Sequence, residues 1–317
     1  MDIKSNSMIT HTNSIFENEW WLNAVAGNSW EKIVVKKKND EICASFPIYK
    51  DRRLGFKILT MPPFTQTLGI YIEDNGGKLT KKLEKDKKIL KQIIEQLPQK
   101  CNYDFYLDTN NAYILPFIWK GFSVSPRFTY RLEDIKDVDK VWDGLKENIR
   151  TDIRKARGKV VVRDDMSIET LIEMQKKTFA RQNRRFPYNC DDIRKLDTVL
   201  MEHNARKLLC AVDKEGNVHS ATYYAYDDRR CYYLMSGGDP DYRNSGATSL
   251  LVWEGIKFAS NNSKVFDFEG SMIESIERFV RGFGASPSVY YNVRKNNCIL
   301  SFFEYMKPKI KKLLKYK

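Results

Sequence analysis

The succession of strand and helix signals beyond residue 158 restricts the folds open to this chain more than any other feature. Apolar alternation marks a strand over 159–163, and 3.6-residue periodicity predicts helices over 168–182 and 190–204. Segments 207–212 and 218–226 flank Lys214-Glu215-Gly216-Asn217, whose turn chemistry joins them as a hairpin. A strand over 231–236 leads into the loop GGDPDYRNSG and a helix over 247–259 that turns Leu250, Leu251 and Ile256 inward. Strand, helix and strand then close the order β-α-α-β-β-β-α-β-α-β. Interleaving of this kind gives an α+β fold built on a mixed α/β sheet.

The closing unit is FDFEGSMIESIERFVRGFGA, residues 266–285. Val265, Phe266 and Phe268 form the strand, and the period of two sends Asp267 and Glu269 to the face opposite the phenylalanines. Ser271 and Glu274 have the spacing of a capping box. Ile273, Ile276, Phe279, Val280 and Phe283 recur at helical spacing; Gly282 and Gly284 stop the helix before a strand over 288–293. The same pattern occurs upstream in YDFYLDTNNAYILPFIWKGFSVSPRFTYRLE, which carries Asp104 on a strand, a short segment ending at 117–120, Gly121-Phe122, and a strand over 128–132. Asp104 and Asp267 lie 163 residues apart, half the chain, which argues for a duplicated domain. A length of 317 residues accommodates two, divided here as 1–138 and 139–317.

Several classes of function are poorly served. MDIKSNSMITHTNS has no apolar core and is not read as a signal peptide, and no run approaches the roughly 18 apolar residues of a membrane span. Six scattered cysteines without a C-x-x-C pair suit reduced thiols in the cytoplasm. Three distant histidines and no Cys/His cluster speak against a metal site, and neither a nucleophile elbow nor a P-loop occurs. The net charge of +13 points to an anionic partner: nucleic acid, a phosphorylated cofactor, an anionic sugar nucleotide or a membrane surface.

Five landmarks in sequential order resemble a known family: MPPFTQTLGIYI (61–72), ENIRTDIRKARGKVVV (147–162), KTFARQN (177–183), DFEGSM (267–272) and RFVRGFGA (278–285). Together with the order of elements they resemble the GNAT acyltransferases, in the duplicated branch of the Fem-type peptidoglycan aminoacyltransferases and their acetyltransferase-like bacterial relatives. The resemblance implies tandem acyl-CoA N-acyltransferase domains. It also implies a donor-binding loop where Tyr242-Arg243-Asn244-Ser245-Gly246-Ala247-Thr248 stands, since such loops follow (Q/R)-x-x-G-x-(G/A). Backbone amides at a helix N-terminus then hold the pyrophosphate. Ser236, Gly237, Arg243, Asn244, Gly246, Ala247 and Thr248 are the expected cofactor-binding residues. The first domain has no counterpart loop, because Gly76-Gly77 reads as a turn; one domain binds the donor and the other helps shape the acceptor cleft.

Acyl transfer needs a deprotonated amine and a stabilised oxyanion. Glu269, at the strand's C-terminal edge and open to solvent, is the candidate general base; Asp267, one pleat deeper, is the second catalytic candidate or else a buried structural partner. Arg150, Arg154 and Arg157 share a helix face, and with Gln182 and Arg184 they form either a solvated surface or a grip on an anionic acceptor. The tail MKPKIKKLLKYK docks through Ile310, Leu313 and Leu314 or makes weak peripheral contact with anionic lipid. Three readings follow. One is an acetyl-CoA or acyl-CoA dependent transferase acting on a small amine, a sugar nucleotide or a cell-envelope precursor, with no metal. The second is a Fem-like ligase using aminoacyl-tRNA, and the third a non-catalytic RNA- or lipid-binding module on the same fold.

Overall fold

The computed structural model describes residues 12–74, 76–270, 272–296 and 299. Ser271, His11, Cys298 and the basic tail therefore lie outside the described residues. The chain divides into two compact units, Met1–Arg127 with Tyr290–Lys317, and Phe128–Val289. The division falls ahead of the 138/139 boundary expected from sequence. It returns the chain after residue 289 to the first unit because the final strand pairs there.

In the first unit α1 (Glu19–Ala26) precedes β1 (Trp30–Lys36), β2 (Ile42–Arg53), β3 (Phe56–Thr60) and β4 (Tyr71–Ile72). Next come α2 (Leu79–Gln96), β5 (Asn102–Leu107), α3 (Leu115–Trp119) and the start of β6 (Ser123–Leu132). β1, β2 and β3 form an antiparallel meander, and β3 runs parallel to β5 with Ile58 opposite Asn102. Trp21, Phe46, Phe105 and Phe117 fill the core, and the Trp21 indole donates to Thr65 Oγ1 at 3.0 Å. That bond and the Gly69 amide on buried Glu17 give the 61–72 landmark a structural role.

The second unit begins within β6 and continues with α4 (Val138–Asp143), α5 (Glu147–Arg157), β7 (Val161–Arg163), α6 (Ile168–Arg181) and α7 (Cys190–Glu202). Then follow β8 (Arg206–Val212), β9 (Val218–Tyr226), β10 (Arg230–Gly238), α8 (Ala247–Asn262), β11 (Val265–Asp267), α9 (Glu274–Arg281) and β12 (Ser286–Lys295), whose later residues belong to the first unit. β7 to β10 are antiparallel neighbours; α8 crosses from β10 to β11, which lie parallel, and β11 pairs antiparallel with β6. Leu250, Leu251 and Ile256 are buried as their spacing requires. Gly255 lets α8 lie against the Tyr224 ring, whose hydroxyl donates to the Leu251 carbonyl at 2.9 Å.

Two local expectations need correction. Gly237 and Gly238 continue β10 instead of opening the loop. α9 begins at Glu274 with Ile273 in the N-cap position, so Glu274 stands in the first helical position, two ahead of the third position that the expected capping box assigns to it.

Candidate active site

The parallel ladder between β10 and β11 joins only Arg230, Cys231 and Tyr232 to their partners. Beyond Tyr232 β10 continues without pairing to β11, shifts register against β9 between Tyr233 and Met235, and carries Ser236, Gly237 and Gly238 forward. Thr178 of α6 fixes this end: its hydroxyl accepts the Gly238 amide at 2.9 Å and reaches the Met174 and Gly238 carbonyls. Gly237 has no room for a β-carbon, which would overlap the α6 backbone at Met174 and Gln175.

These strand residues and the head of α8 enclose a cavity of about 600 Å³, a size typical of ligand sites. All seven residues expected to bind the donor, Ser236, Gly237, Arg243, Asn244, Gly246, Ala247 and Thr248, line it. Gly246 sits at φ +81, where a side chain is strained, and a β-carbon would overlap the Asp152 carbonyl of α5. Ser245 Oγ accepts the Ala247 amide at 3.2 Å, while the amides of Thr248 and Ser249 belong to the open first turn of a 16-residue helix. The Thr248 hydroxyl turns toward β9 and shares a 2.9 Å hydrogen bond with Ser220 Oγ.

Residues that the sequence did not assign complete the wall. Lys155 and Arg181 join Arg243, and none of these three cations has an acidic partner within the salt-bridge distance among the described residues. Asp239 also lines the cavity but is committed to Lys177 at 2.7 Å and to the Asp241 amide. His219 stacks on Tyr242 at 3.9 Å and shares a 3.1 Å hydrogen bond with Asp213 Oδ2. Burial alone would raise the Asp213 carboxyl, yet hydrogen bonds from Asn217 and His219 overcome it and hold the group at about 2. Lys155 lies in the 147–162 landmark and Arg181 in the 177–183 landmark, so both were within reach of the motif reading. Asp152 left no such signal, because its contact with Gly246 depends on packing α5 against α8.

Asp267 and Glu269 do not line this cavity. Asp267 is fully buried and accepts from Arg131 Nε at 2.6 Å, from the Glu269 amide at 2.9 Å and from the Thr129 hydroxyl. β11 ends at Asp267, so Glu269 is neither on the strand nor at a solvent-open edge as expected. It adopts φ +54, an uncommon conformation for a non-glycine residue. Burial first, and the Asp267 charge second, push its carboxyl well above the usual carboxylate range. The Tyr188 phenol is likewise raised, by burial and then by the charge of Glu269.

The basic face of α5 is occupied locally. Arg150 and Arg154 both bind Glu147, with nearest bonds of 2.9 and 3.0 Å, and Arg154 and Arg157 lie over the Trp142 ring. Gln182 caps α6, and the Arg184 guanidinium lies over Phe179. None of Arg150, Arg154, Gln182 and Arg184 reaches the cavity wall. Among the described residues no group of three or more His, Cys, Asp or Glu is placed to hold a metal ion, and no helix is long and apolar enough to cross a membrane.

The run of β10 without β11 pairing, the left-handed glycine and the amide-rich head of α8 are arranged as in the GNAT fold. Residues 144–272 match the acetyltransferase (GNAT) domain family. The chain as a whole has the duplicated, Fem-like form of that fold. FemX superposes with a TM-score of 0.64 at 13% identity, covering 88% of this chain and 92% of its own. L-PGS from Bacillus licheniformis superposes at 0.51 and 9% identity, covering 87% and 88%. A tandem GNAT protein from the clavulanic acid biosynthesis pathway does so at 0.50 and 9%, covering 84% and 83%. No curated protein matches the sequence.

Proposed function

We propose that the cavity at the head of α8 binds a phosphate-bearing acyl donor, acetyl-CoA or another acyl-CoA. The protein then moves the acyl group to an amine of a small molecule or an amino-sugar precursor of the cell envelope. The observation that carries this reading is the meeting of Arg243, Arg181 and Lys155, without acidic partners, around the first-turn amides of α8. Fixed cations and backbone N–H groups at a helix N-terminus are what a pyrophosphate requires. The stretch of β10 without β11 pairing offers backbone groups to the amide-containing arm of such a donor. In the reaction the acceptor nitrogen bonds to the thioester carbonyl carbon, the C–S bond breaks, and the proton lost by the amine ends on the departing thiol. Glu269 is the proposed base, its raised pKa making it a stronger proton acceptor once ionised. Asp267 is assigned to holding Arg131 and the Glu269 backbone.

The net charge of +13 and the fold shared with FemX favour a second reading, in which the donor is aminoacyl-tRNA and the acceptor a peptidoglycan precursor. Titrating coenzyme A and charged tRNA into the wild-type protein and Arg243→Ala separates the two. Saturable coenzyme A binding, weakened at least about tenfold in the variant, as expected for one charge-assisted phosphate contact, supports the first reading. Tight, steeply salt-dependent tRNA binding with no coenzyme A signal overturns it in favour of the second. Failure of aminoacyl transfer from that tRNA leaves a nucleic-acid-binding module.

A further inference from the structure

One surface of the first unit carries apolar side chains that its core does not use. α3 is held from within by Phe117, whose ring meets those of Phe105 and Phe122 edge-on. Gly121, at φ +79, closes the helix, with the Gly121 and Phe122 amides donating to the Ile118 and Phe117 carbonyls at 2.9 and 3.1 Å. The outer face of α3 holds Leu115, Ile118 and Trp119 at spacings of three and four, exposed by 43, 45 and 54%. Trp119 is the one exposed tryptophan of the chain's six. Single exposed apolar residues are ordinary, whereas a cluster of them rimmed by polar groups marks a contact surface.

The rim is cationic. Lys87 of α2 lies over the Trp119 ring at 5.1 Å, and Glu95, further along α2, binds Lys120 at 3.3 Å, which puts exposed Lys91 on the stripe between them. Beyond Trp119 a cleft of about 430 Å³ is lined by Lys100, Lys120 and Lys295. Lys87, Lys91, Lys100 and Lys295 have no acidic partner within salt-bridge distance among the described residues. Against these five lysines stand Glu95 and, a turn before Lys87, Glu84; Asp86 lines a different pocket beside Ile70 and Leu107.

We propose that this surface seats the protein on an anionic membrane: Leu115, Ile118 and Trp119 enter the boundary between headgroups and acyl chains, and the five lysines meet lipid phosphates. An indole has its preferred place at that boundary, and exposed aliphatic groups beside it gain by burial there. Nucleic acid would match the lysines but offers its phosphodiester backbone nothing apolar to set against Leu115 and Ile118. The chain's own segment MKPKIKKLLKYK is cationic like the rim, so charge opposes it as the cover and favours an anionic partner. The inference is independent of the donor site, whose lining residues all belong to the other unit.

The test is co-sedimentation of the full-length protein with vesicles of phosphatidylglycerol and phosphatidylcholine in equal parts, and with vesicles of phosphatidylcholine alone. Binding to the first set that weakens as salt rises is the expected result. Each lysine near such a surface is worth about fivefold, so Lys87→Gln, Lys91→Gln and Lys100→Gln combined weaken binding about a hundredfold. Trp119→Ser weakens it about tenfold. These side chains lie outside the core, so circular dichroism melts of both variants stay with wild type. Trp119→Phe retains binding but loses most of the fluorescence quenching by brominated lipids, a readout that misfolding does not imitate. Vesicle binding that neither the lysine variant nor Trp119→Ser weakens, or that is equally strong on phosphatidylcholine alone, overturns the proposal. Absence of vesicle binding overturns it too: tRNA binding lost in the lysine variant then gives the surface to nucleic acid, and a dimer lost in Trp119→Ser gives it to a second copy of the chain.

Discussion

Replacing Asp267 by Asn separates a structural carboxylate from a catalytic one. The side chain keeps its size, and its carbonyl oxygen can still accept from the Thr129 hydroxyl and the Glu269 amide. What disappears is the charge opposite Arg131, a residue 7% exposed whose Nε donates to Asp267 Oδ2 at 2.6 Å. Removing one member of a buried ion pair strands the other, at about 3–5 kcal/mol. In a unit the size of Phe128–Val289 each kcal/mol moves the melting point by about 2–4 °C, so the transition falls by about 10 °C. Circular dichroism melts give that figure, while coenzyme A titration and acyl-transfer rates are taken well below the lowered transition. There the variant retains donor affinity and a rate within a few-fold of wild type. A melting point within 2 °C of wild type together with a hundredfold loss of rate would refute the assignment and make Asp267 part of the chemistry.

Gly246→Ala combines a left-handed conformation with an overlap on the Asp152 carbonyl, and is expected to cost about 2 kcal/mol or more and to abolish coenzyme A binding; urea unfolding and calorimetry measure the two, and an intact affinity contradicts the cradle. For Glu269 the folded pKa lies above the unfolded one, so the folded state retains a proton that the unfolded chain has released. Stability then falls as pH rises above about 4.5, and Glu269→Gln removes that slope in urea midpoints across pH. The same variant loses the rise of transfer rate with pH that an ionising base gives; an unchanged pH–rate profile excludes Glu269 as the base. Glu17, raised to about 7 by burial and then by Asp108, has the same sign. Roughly 3 kcal/mol of stability is lost between pH 4.5 and 7 in wild type and retained in Glu17→Gln.

The loop proposed to hold the donor was legible as a structural unit because its parts are adjacent in sequence: strand, Arg243, Gly246 and the inward face of α8 fall within twenty-odd positions. The cations opposite it were only half legible. Lys155 and Arg181 sit in motifs that were recognised, but a charge run does not disclose which member faces inward. The structure turns Lys155 to the cavity and spends Arg150 and Arg154 on Glu147. Glu269 was misplaced for a related reason. Strict alternation extends a strand on paper, whereas the backbone leaves β11 at Asp267 and passes through two left-handed residues, Glu269 and Gly270. Gly270 is tightly packed there, with no room for a β-carbon beside the Phe128 carbonyl and Thr129.

The duplication supplies an internal control on the acidic strand residues. β5 has a parallel neighbour, β3, and an antiparallel one, β12; β11 has the same neighbours in β10 and β6. Each carries an aspartate bound to an arginine, Asp104 to Arg53 at 2.8 Å and Asp267 to Arg131 at 2.6 Å. The units differ at the helix that joins the parallel pair. α8 starts from Gly246 pressed on Asp152, while α2 starts from Leu79 after Gly76 and Gly77, which have open space around them. A residue required by donor chemistry should accompany the packed loop and be free to vary where that loop is missing. The aspartate–arginine pair is present with the loop and without it. Arg53 stands on β2 and Arg131 on β6, so the units share an aspartate met by an arginine but not the strand that supplies it, and a carboxylate neutralised in both settings has a structural part in each.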